Sequence, residues 1–194
     1  MKLSIDEIKT LEKFCEQAEA LAKLNLFDID QSVIETRFEY IHDIDLKGKY
    51  QGLSNDELLP IVTILRQLYK RGDVLNFKTI FGIVSKYLKK NNSVKENTMV
   101  FARSAMGGYK QVIDYPDKAI RVGSKHLTTI EIIELWYDGN NITADTDNVK
   151  RYNSLWKSPA GRMAETNFKI AIANLASIMI YFGNLIQIEI LNKM

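Results

Sequence analysis

The chain has 194 residues and a mass of 22.3 kDa, with 46% hydrophobic and 26% charged residues. These values are ordinary for a soluble globular protein, and the length is enough for one well-buried domain or two small ones. The single cysteine, Cys15, excludes an internal disulfide and a zinc site built from cysteines. Residues 1–14 have no apolar core of the kind that signal peptides contain, so we expect a cytoplasmic protein.

The charges are distributed unevenly along the chain. Residues 1–59 contain 7 Lys and Arg against 13 Asp and Glu, residues 60–125 contain 13 against 4, and residues 126–194 contain 6 against 7. The local net charges of −6, +9 and −1 add to the overall +2. A strongly basic middle segment indicates a surface that attracts negatively charged partners.

The first half of the chain shows repeated helix starts. Each start is a capping box, in which a serine and a glutamate three residues later can satisfy the free amides of a first helical turn. Apolar residues at helical spacing follow every box. They predict helices from Ser4 to about Leu24, from Ser32 to about Leu46, from Ser54 to Tyr69 and from Ser93 to about Met106, and a further helix from Asp73 or Asn76 to Lys90. Pro60 is expected to delay or bend the helix that follows Ser54.

The second half begins with a less regular stretch. Residues 118–127 have no clear period and predict either a loop or a short extended segment. A fifth capping box at Thr128 predicts a helix through Tyr137, followed by an Asx-rich loop over 138–147 and a short helix around Tyr152. Ser158 and Pro159 have the residue types of an N-cap and a first helical position, and they begin the final predicted helix, which ends near Leu191.

The most apolar stretch is Phe168–Leu191, which has no charged residue between positions 170 and 188. Its length would allow it to cross a bilayer, but several polar side chains and the lack of a strongly basic flank favour a buried core helix. The capping boxes and the helical period leave almost nothing for a sheet. The predicted fold is all-α: one domain, residues 1–194, with about seven to eight helices bundled around the apolar C-terminal helix. The alternative is a division into 1–115 and 116–194.

Both histidines of the chain follow an arginine by five positions: Arg37 precedes His42, and Arg121 precedes His126. This spacing resembles the R-x4-6-H signature of the HEPN family, all-α proteins in which such a pair cleaves RNA. The resemblance implies that the arginine places a positive charge near the scissile phosphate and that the histidine acts as a base near the 2′-hydroxyl.

The resemblance covers six residues at each place. The family usually has a polar residue after the arginine, whereas Phe38 and Val122 stand there in this chain. The second pair lies in the basic segment, which would attract RNA, and the first lies in the acidic segment, which would repel it. Arg121 and His126 are therefore the candidate catalytic pair, although residues five apart on an ideal helix point about 140° away from each other.

The basic segment also supplies candidate binding residues. Clustered lysines and arginines with interleaved tyrosines can bind phosphates and stack on bases. They can equally dock an acidic protein, or pair with the acidic N-terminal helices within the chain or in a second copy, or form a solvated surface. The candidates are Arg66, Lys70, Arg71, Lys86, Lys89, Lys90, Lys95, Arg103, Lys110 and Lys125.

No cofactor or metal is expected. The Asx-rich loop that begins at Asp138 lacks the EF-hand pattern, because Ile142 and Val149 occupy its fifth and twelfth places, which a calcium ligand must fill. The sequence also has no phosphate-binding glycine loop, nucleophile elbow or HExxH motif.

Three functional hypotheses follow from the sequence. The first is a non-enzymatic helical binding or regulatory protein, for example a phage or mobile-element accessory protein that inhibits a nucleic-acid-directed host system, as a monomer or a dimer. The second is an RNA-cleaving or RNA-binding protein of HEPN type. The third is a helical protein tethered to a membrane by its C-terminal helix.

Overall fold

A computed structural model describes residues 2–27, 53–71, 77–91, 120–122, 125–141 and 146–194. In these residues the chain is all-α, as predicted, apart from one short β-hairpin. The six helices are α1 (Ile5–Ala22), α2 (Asn55–Lys70), α3 (Phe77–Asn91), α4 (Thr129–Asn140), α5 (Thr146–Trp156) and α6 (Pro159–Glu189), and the strands are β1 (Ile120–Val122) and β2 (Lys125–Leu127). A 3₁₀ turn, Leu191–Lys193, follows α6. The helices predicted from Ser32 and Ser93 lie outside the described residues.

Three of the five predicted capping boxes fall in described residues, and all three are confirmed. In α1, Glu7 N donates to Ser4 Oγ at 3.2 Å and Ser4 N donates to Glu7 Oε2 at 2.8 Å. The same reciprocal pair begins α2 and α4. The box at Ser54 begins α2 directly at Asn55.

The prediction that Pro60 delays the start of α2 is therefore wrong. Pro60 lies inside the helix and is exposed, so water can satisfy the carbonyl that loses its amide donor to the proline ring.

The prediction of a loop beginning at Asp138 is also wrong at its start, because α4 continues to Asn140. Asn140 Nδ2 donates to the Trp136 carbonyl oxygen at 2.9 Å, which adds a side-chain hydrogen bond within the last turn of the helix. Residues 142–145 of the predicted loop lie outside the described part.

The long C-terminal helix is confirmed as one uninterrupted element of 31 residues. Ser158 caps it, accepting from Gly161 N at its hydroxyl oxygen (3.0 Å) and from Arg162 N at its carbonyl oxygen (2.9 Å). Its buried residues lie on most of its faces, as predicted for a core helix. They are Gly161, Ile172, Ala173, Leu175, Ala176, Ser177, Met179, Ile180, Phe182, Gly183, Leu185 and Ile186.

The chain groups into two compact units that alternate along the sequence. Met1–Leu46, Leu75–Lys110 and Leu175–Met194 form the first unit, which contains α1, α3 and the second part of α6. Lys47–Val74 and Gln111–Asn174 form the second, which contains α2, the hairpin, α4, α5 and the first part of α6. Whether the chain is one folding domain stays a prediction.

In the first unit, α1 packs closely on α6. The ring of Phe14 meets that of Phe182 edge to face, with centroids 6.3 Å apart, and Cys15 Sγ donates to the Gly183 carbonyl oxygen at 3.6 Å. Burial, with a smaller contribution from the nearby charge of Glu12, raises the pKa of the Cys15 thiol to about 12. Cys15 is thus a buried small apolar side chain, as its place on the apolar stripe predicts.

In the second unit, α4 provides the central apolar contacts. Trp136 is fully buried, and its ring lies 5.9 Å from that of Phe168. An adjoining cluster joins β2, α4 and α5, with Tyr152 and Phe168 packed against it, and consists of Leu127, Ile132, Leu135, Leu155 and Trp156.

By length and composition, one segment of the described chain, Leu175–Lys193, could cross a membrane. More than half of it is buried inside the protein. The core helix of a soluble protein has the same length and composition.

Candidate functional site

The hairpin places the candidate catalytic pair at facing positions. β1 and β2 are antiparallel, and their register pairs Ile120 with Leu127, Arg121 with His126 and Val122 with Lys125. Directly paired residues of an antiparallel ladder share one face of the sheet. Residues 120–122 and 125–127 are therefore extended, one of the two alternatives predicted for this stretch, and the register places the backbones of Arg121 and His126 opposite each other. The other pair, Arg37 and His42, lies outside the described residues.

Two candidate binding residues are held by an acidic side chain of α4. Arg66 Nε donates to Glu134 Oε2 at 2.8 Å, and Lys70 Nζ lies 3.6 Å from the other oxygen of that carboxylate. The Arg66 guanidinium also stacks on Tyr137, 4.3 Å from the ring centroid. Arg66 thus makes a part-buried link between α2 and α4 within the second unit.

A third candidate, Lys86, pairs with an acidic residue of α1. Its Nζ lies 3.2 Å from Glu7 Oε1, within the first unit. The Ser4 backbone amide lowers the pKa of the Glu7 carboxyl, and the hydrogen bond and charge of Lys86 lower it further.

Replacing Lys86 with glutamine is expected to raise the pKa of Glu7 toward its ordinary value without fully restoring it, because the Ser4 amide remains. A carboxyl whose folded-state pKa is lowered stabilises the fold above its unfolded-state pKa, and that stability is lost as the pH falls through the folded-state value. An NMR titration of the side-chain carboxyls measures the shift. Glu57 is the matched control, because Ser54 alone lowers its pKa. An unchanged Glu7 titration in K86Q would contradict the ion pair.

The structure describes the backbone position of four of the seven other candidate binding residues. Arg71 is exposed at the end of α2, Lys89 and Lys90 belong to the end of α3, and Lys125 belongs to β2. The structure therefore brings Arg66 and Lys70 together, beside Arg71, in one unit, and assigns Lys86, Lys89 and Lys90 to the other. Of the interleaved tyrosines, Tyr69 and Tyr87 are half-buried. Lys95, Arg103, Lys110 and Tyr109 lie outside the described residues.

The second unit contains a polar network that the sequence did not predict. Glu165 Oε1 accepts from Trp136 Nε1 at 3.2 Å and from the Tyr152 hydroxyl at 2.5 Å. Asn140 Nδ2 donates to the Tyr152 oxygen at 3.3 Å, and Asn140 Oδ1 accepts from Asn55 Nδ2 at 3.0 Å. The five side chains come from α2, α4, α5 and α6, so this network ties four helices together.

The chemistry of this network is structural. Burial raises the pKa of Tyr152, and the hydrogen bond to Glu165 raises it further, so the phenol stays protonated and serves as a donor. The ring also packs against the backbone of α4: a Cβ at Gly139 would lie 2.3 Å from its atoms. No periodicity could reveal these contacts, since their partners are 12 to 85 residues apart.

The described residues contain no group of three or more His, Cys, Asp or Glu side chains that could hold a metal ion. Comparison of the chain with protein-family models, with curated proteins and with solved structures finds no match.

Proposed function

We propose that the chain is a non-enzymatic helical protein that acts by binding another macromolecule through its charged surface, above all through the basic segment 60–125. The observation that carries this proposal is the composition of the segment, which contains 13 Lys and Arg against 4 Asp and Glu. Arg66, Lys70 and Lys86 bind two carboxylates outside the segment, Glu134 and Glu7. Counting those two carboxylates with the segment lowers its surplus only from +9 to +7.

Such a surplus favours a negatively charged partner, either a nucleic acid or an acidic protein. In this proposal the protein is a cytoplasmic regulatory or accessory factor, for example a phage or mobile-element inhibitor of a nucleic-acid-directed host system, and it can form homo-oligomers. A bundle of seven to eight helices is part of the same proposal, supported by the six helices of the described residues. Recovery in a high-speed supernatant without detergent would contradict the membrane-tethered alternative.

The test is a pull-down with the purified protein from lysates treated or not treated with nuclease. The variant K89Q/K90Q/K95Q/K110Q removes four positive charges, which lowers the net charge of the segment from +9 to +5, and is expected to abolish capture of the partner. The matched control K2Q/K9Q/K13Q/K23Q removes the same charge from four exposed lysines of α1 and its flanks and should retain capture. Equal capture by both variants and the wild type would refute the role of the segment.

A second candidate function is RNA cleavage by Arg121 and His126. The register that pairs these two residues across the hairpin favours it, because the base and the phosphate-binding cation must act on adjacent atoms of one nucleotide. In this mechanism His126 removes the proton of the 2′-hydroxyl, the 2′-oxygen forms a bond to phosphorus as the bond from phosphorus to the 5′-oxygen breaks, and water protonates the departing 5′-oxygen. Arg121 stabilises the charge on the phosphate.

If this second function is correct, His126→Ala should lower the cleavage rate by about 10²- to 10⁴-fold, the usual contribution of a general base. His42→Ala, the matched histidine in the acidic segment, should leave the rate unchanged. Cleavage that survives His126→Ala would come from a contaminant or another site and would remove this candidate.

A further inference from the structure

The net charge of residues 126–194 conceals how its charges are arranged. The sum is −1, but most carboxylates of the described part already form hydrogen bonds or ion pairs within the protein. In the second unit, Glu131 belongs to the capping box of α4, Glu134 binds Arg66 and Lys70, and Glu165 binds Trp136 and Tyr152. Asp138 is buried. Glu134 is paired with two cations, and Glu134, Asp138 and Glu165 are at least partly buried, so these three carboxylates contribute less negative charge to the surface than the sum implies.

Four of the cations of the same stretch, in contrast, are exposed to solvent. These four are Lys150, Arg151, Lys157 and Arg162. Lys150 and Arg151 lie in the middle of α5, Lys157 lies between α5 and α6, and Arg162 lies in the first turn of α6. We call these four residues the α5–α6 corner. In the described part of this corner the one exposed carboxylate is that of Asp147, 3.8 Å from Lys150 Nζ, and both side chains are more than three-quarters exposed. An ion pair so exposed is weak.

One cation of the corner is partly oriented. Arg162 Nη1 donates to the Lys157 carbonyl oxygen at 3.1 Å. This hydrogen bond orients the guanidinium near the connection between α5 and α6. The other N–H groups of the guanidinium can still donate two hydrogen bonds to an anion. Because the arginine is held in place, less side-chain entropy is lost when an anion binds.

The surroundings of the corner indicate which class of partner it fits. Protein interfaces depend on large apolar or aromatic anchors at their centre. Among the described residues the exposed large hydrophobic side chains are Ile5 and Met194, and both belong to the first unit. Between Lys150 and Arg162 the other exposed residues of the described part are Asn153, Ser154, Ser158 and Pro159, three of which are polar. Cations beside hydroxyl and amide groups are the contacts that nucleic-acid backbones receive.

We propose that the α5–α6 corner binds the phosphodiester backbone of a nucleic acid, without sequence preference. This inference rests on the proposed function in taking the protein to be a binder, but it commits to one class of partner and to a surface outside the segment 60–125.

The experiment measures the affinity for a fluorescein-labelled oligouridylate by anisotropy, over a range of salt concentrations. The wild type is expected to bind with a dissociation constant that rises steeply with salt. The variant K150Q/R151Q/K157Q/R162Q should bind roughly tenfold or more weakly at low salt. The logarithm of its association constant, plotted against the logarithm of the salt concentration, should fall less steeply than that of the wild type. The slope should change by about 0.7 for each phosphate of the single strand that the variant no longer neutralises, and by about 3 if all four contacts are lost. Circular dichroism verifies that the variant is folded.

Two matched variants distinguish the possible failures. K2Q/K9Q/K13Q/K23Q removes the same charge from the first unit and should keep the wild-type affinity and salt slope. A loss as large as that of the corner variant would mean that net charge alone matters, and would overturn the inference.

If K89Q/K90Q/K95Q/K110Q loses binding while the corner variant retains it, the inference fails and the proposed function stands. A wild type that binds no oligouridylate at low salt also overturns the inference, whereas capture of an acidic protein in the pull-down would still support the proposed function.

Discussion

Trp136→Phe is expected to destabilise the protein by about 3 kcal/mol, more than the same substitution at the chain's other tryptophan. Trp136 is fully buried and donates its indole N–H to Glu165 at 3.2 Å. Phenylalanine leaves a small cavity and removes this donor, and a hydrogen bond to a charged group contributes about 1.5–3 kcal/mol. Urea unfolding followed by circular dichroism measures the loss.

Trp156→Phe is the matched control. This indole is also buried, but its N–H has no acceptor in the described part of the chain. The substitution removes the same atoms without removing a hydrogen bond, so we expect a loss of about 1 kcal/mol or less. A double-mutant cycle of Trp136→Phe with Glu165→Leu isolates the pair energy. Equal losses for the two tryptophan variants would show that the bond to Glu165 contributes nothing.

Gly183→Ala is expected to destabilise the protein by about 2 kcal/mol, although alanine is the better helix former by about 1 kcal/mol. A Cβ at position 183 would lie 2.5 Å from the Cβ of Ala18, so α1 and α6 would have to separate. Overpacking of this kind costs about 1–3 kcal/mol. Thermal and urea unfolding give the sign and the size of the change.

Gly82→Ala serves as the matched control, since position 82 lies inside α3, is exposed and has no atom within 4 Å of the place that a new methyl group would take. It should stabilise the protein by up to about 1 kcal/mol. Ala18→Gly added to Gly183→Ala should recover part of the lost stability, because it vacates the space that the new methyl group needs. If both glycine variants stabilise the protein equally, the close approach of the two helices is wrong.

The helix starts were predictable because the interactions that determine them are local. The capping box at Ser54 is formed by residues three apart, and it begins α2 even though Pro60 follows within two turns. The same holds for Thr128, and for Ser158 before α6. Both partners of each contact lie within one turn of each other along the sequence.

The hairpin and the polar network were not predictable in this way. Strand pairing of Arg121 with His126 depends on a register that no helical or alternating period over 118–127 reveals. Asn140 extends α4 past the predicted end, and its side chain lies between Asn55 and Tyr152, which are distant in sequence. Charge sums failed for a related reason: they count Glu134 and Glu165 as surface charges, although both are bound to partners in the fold.

The close packing of α1 on α6 has a consequence for synthesis on the ribosome. Cys15 and its partner Gly183 are 168 residues apart, so the apolar face of α1 is made long before the helix that covers it. At about 5–20 residues per second, translation of the intervening chain takes roughly 8–34 s. During that interval Phe14, Cys15 and Ala18 lack the α6 surface of the first unit, whereas α4 and α5 follow each other closely in the sequence and can associate early. A chaperone would thus have this interval in which to bind the nascent α1.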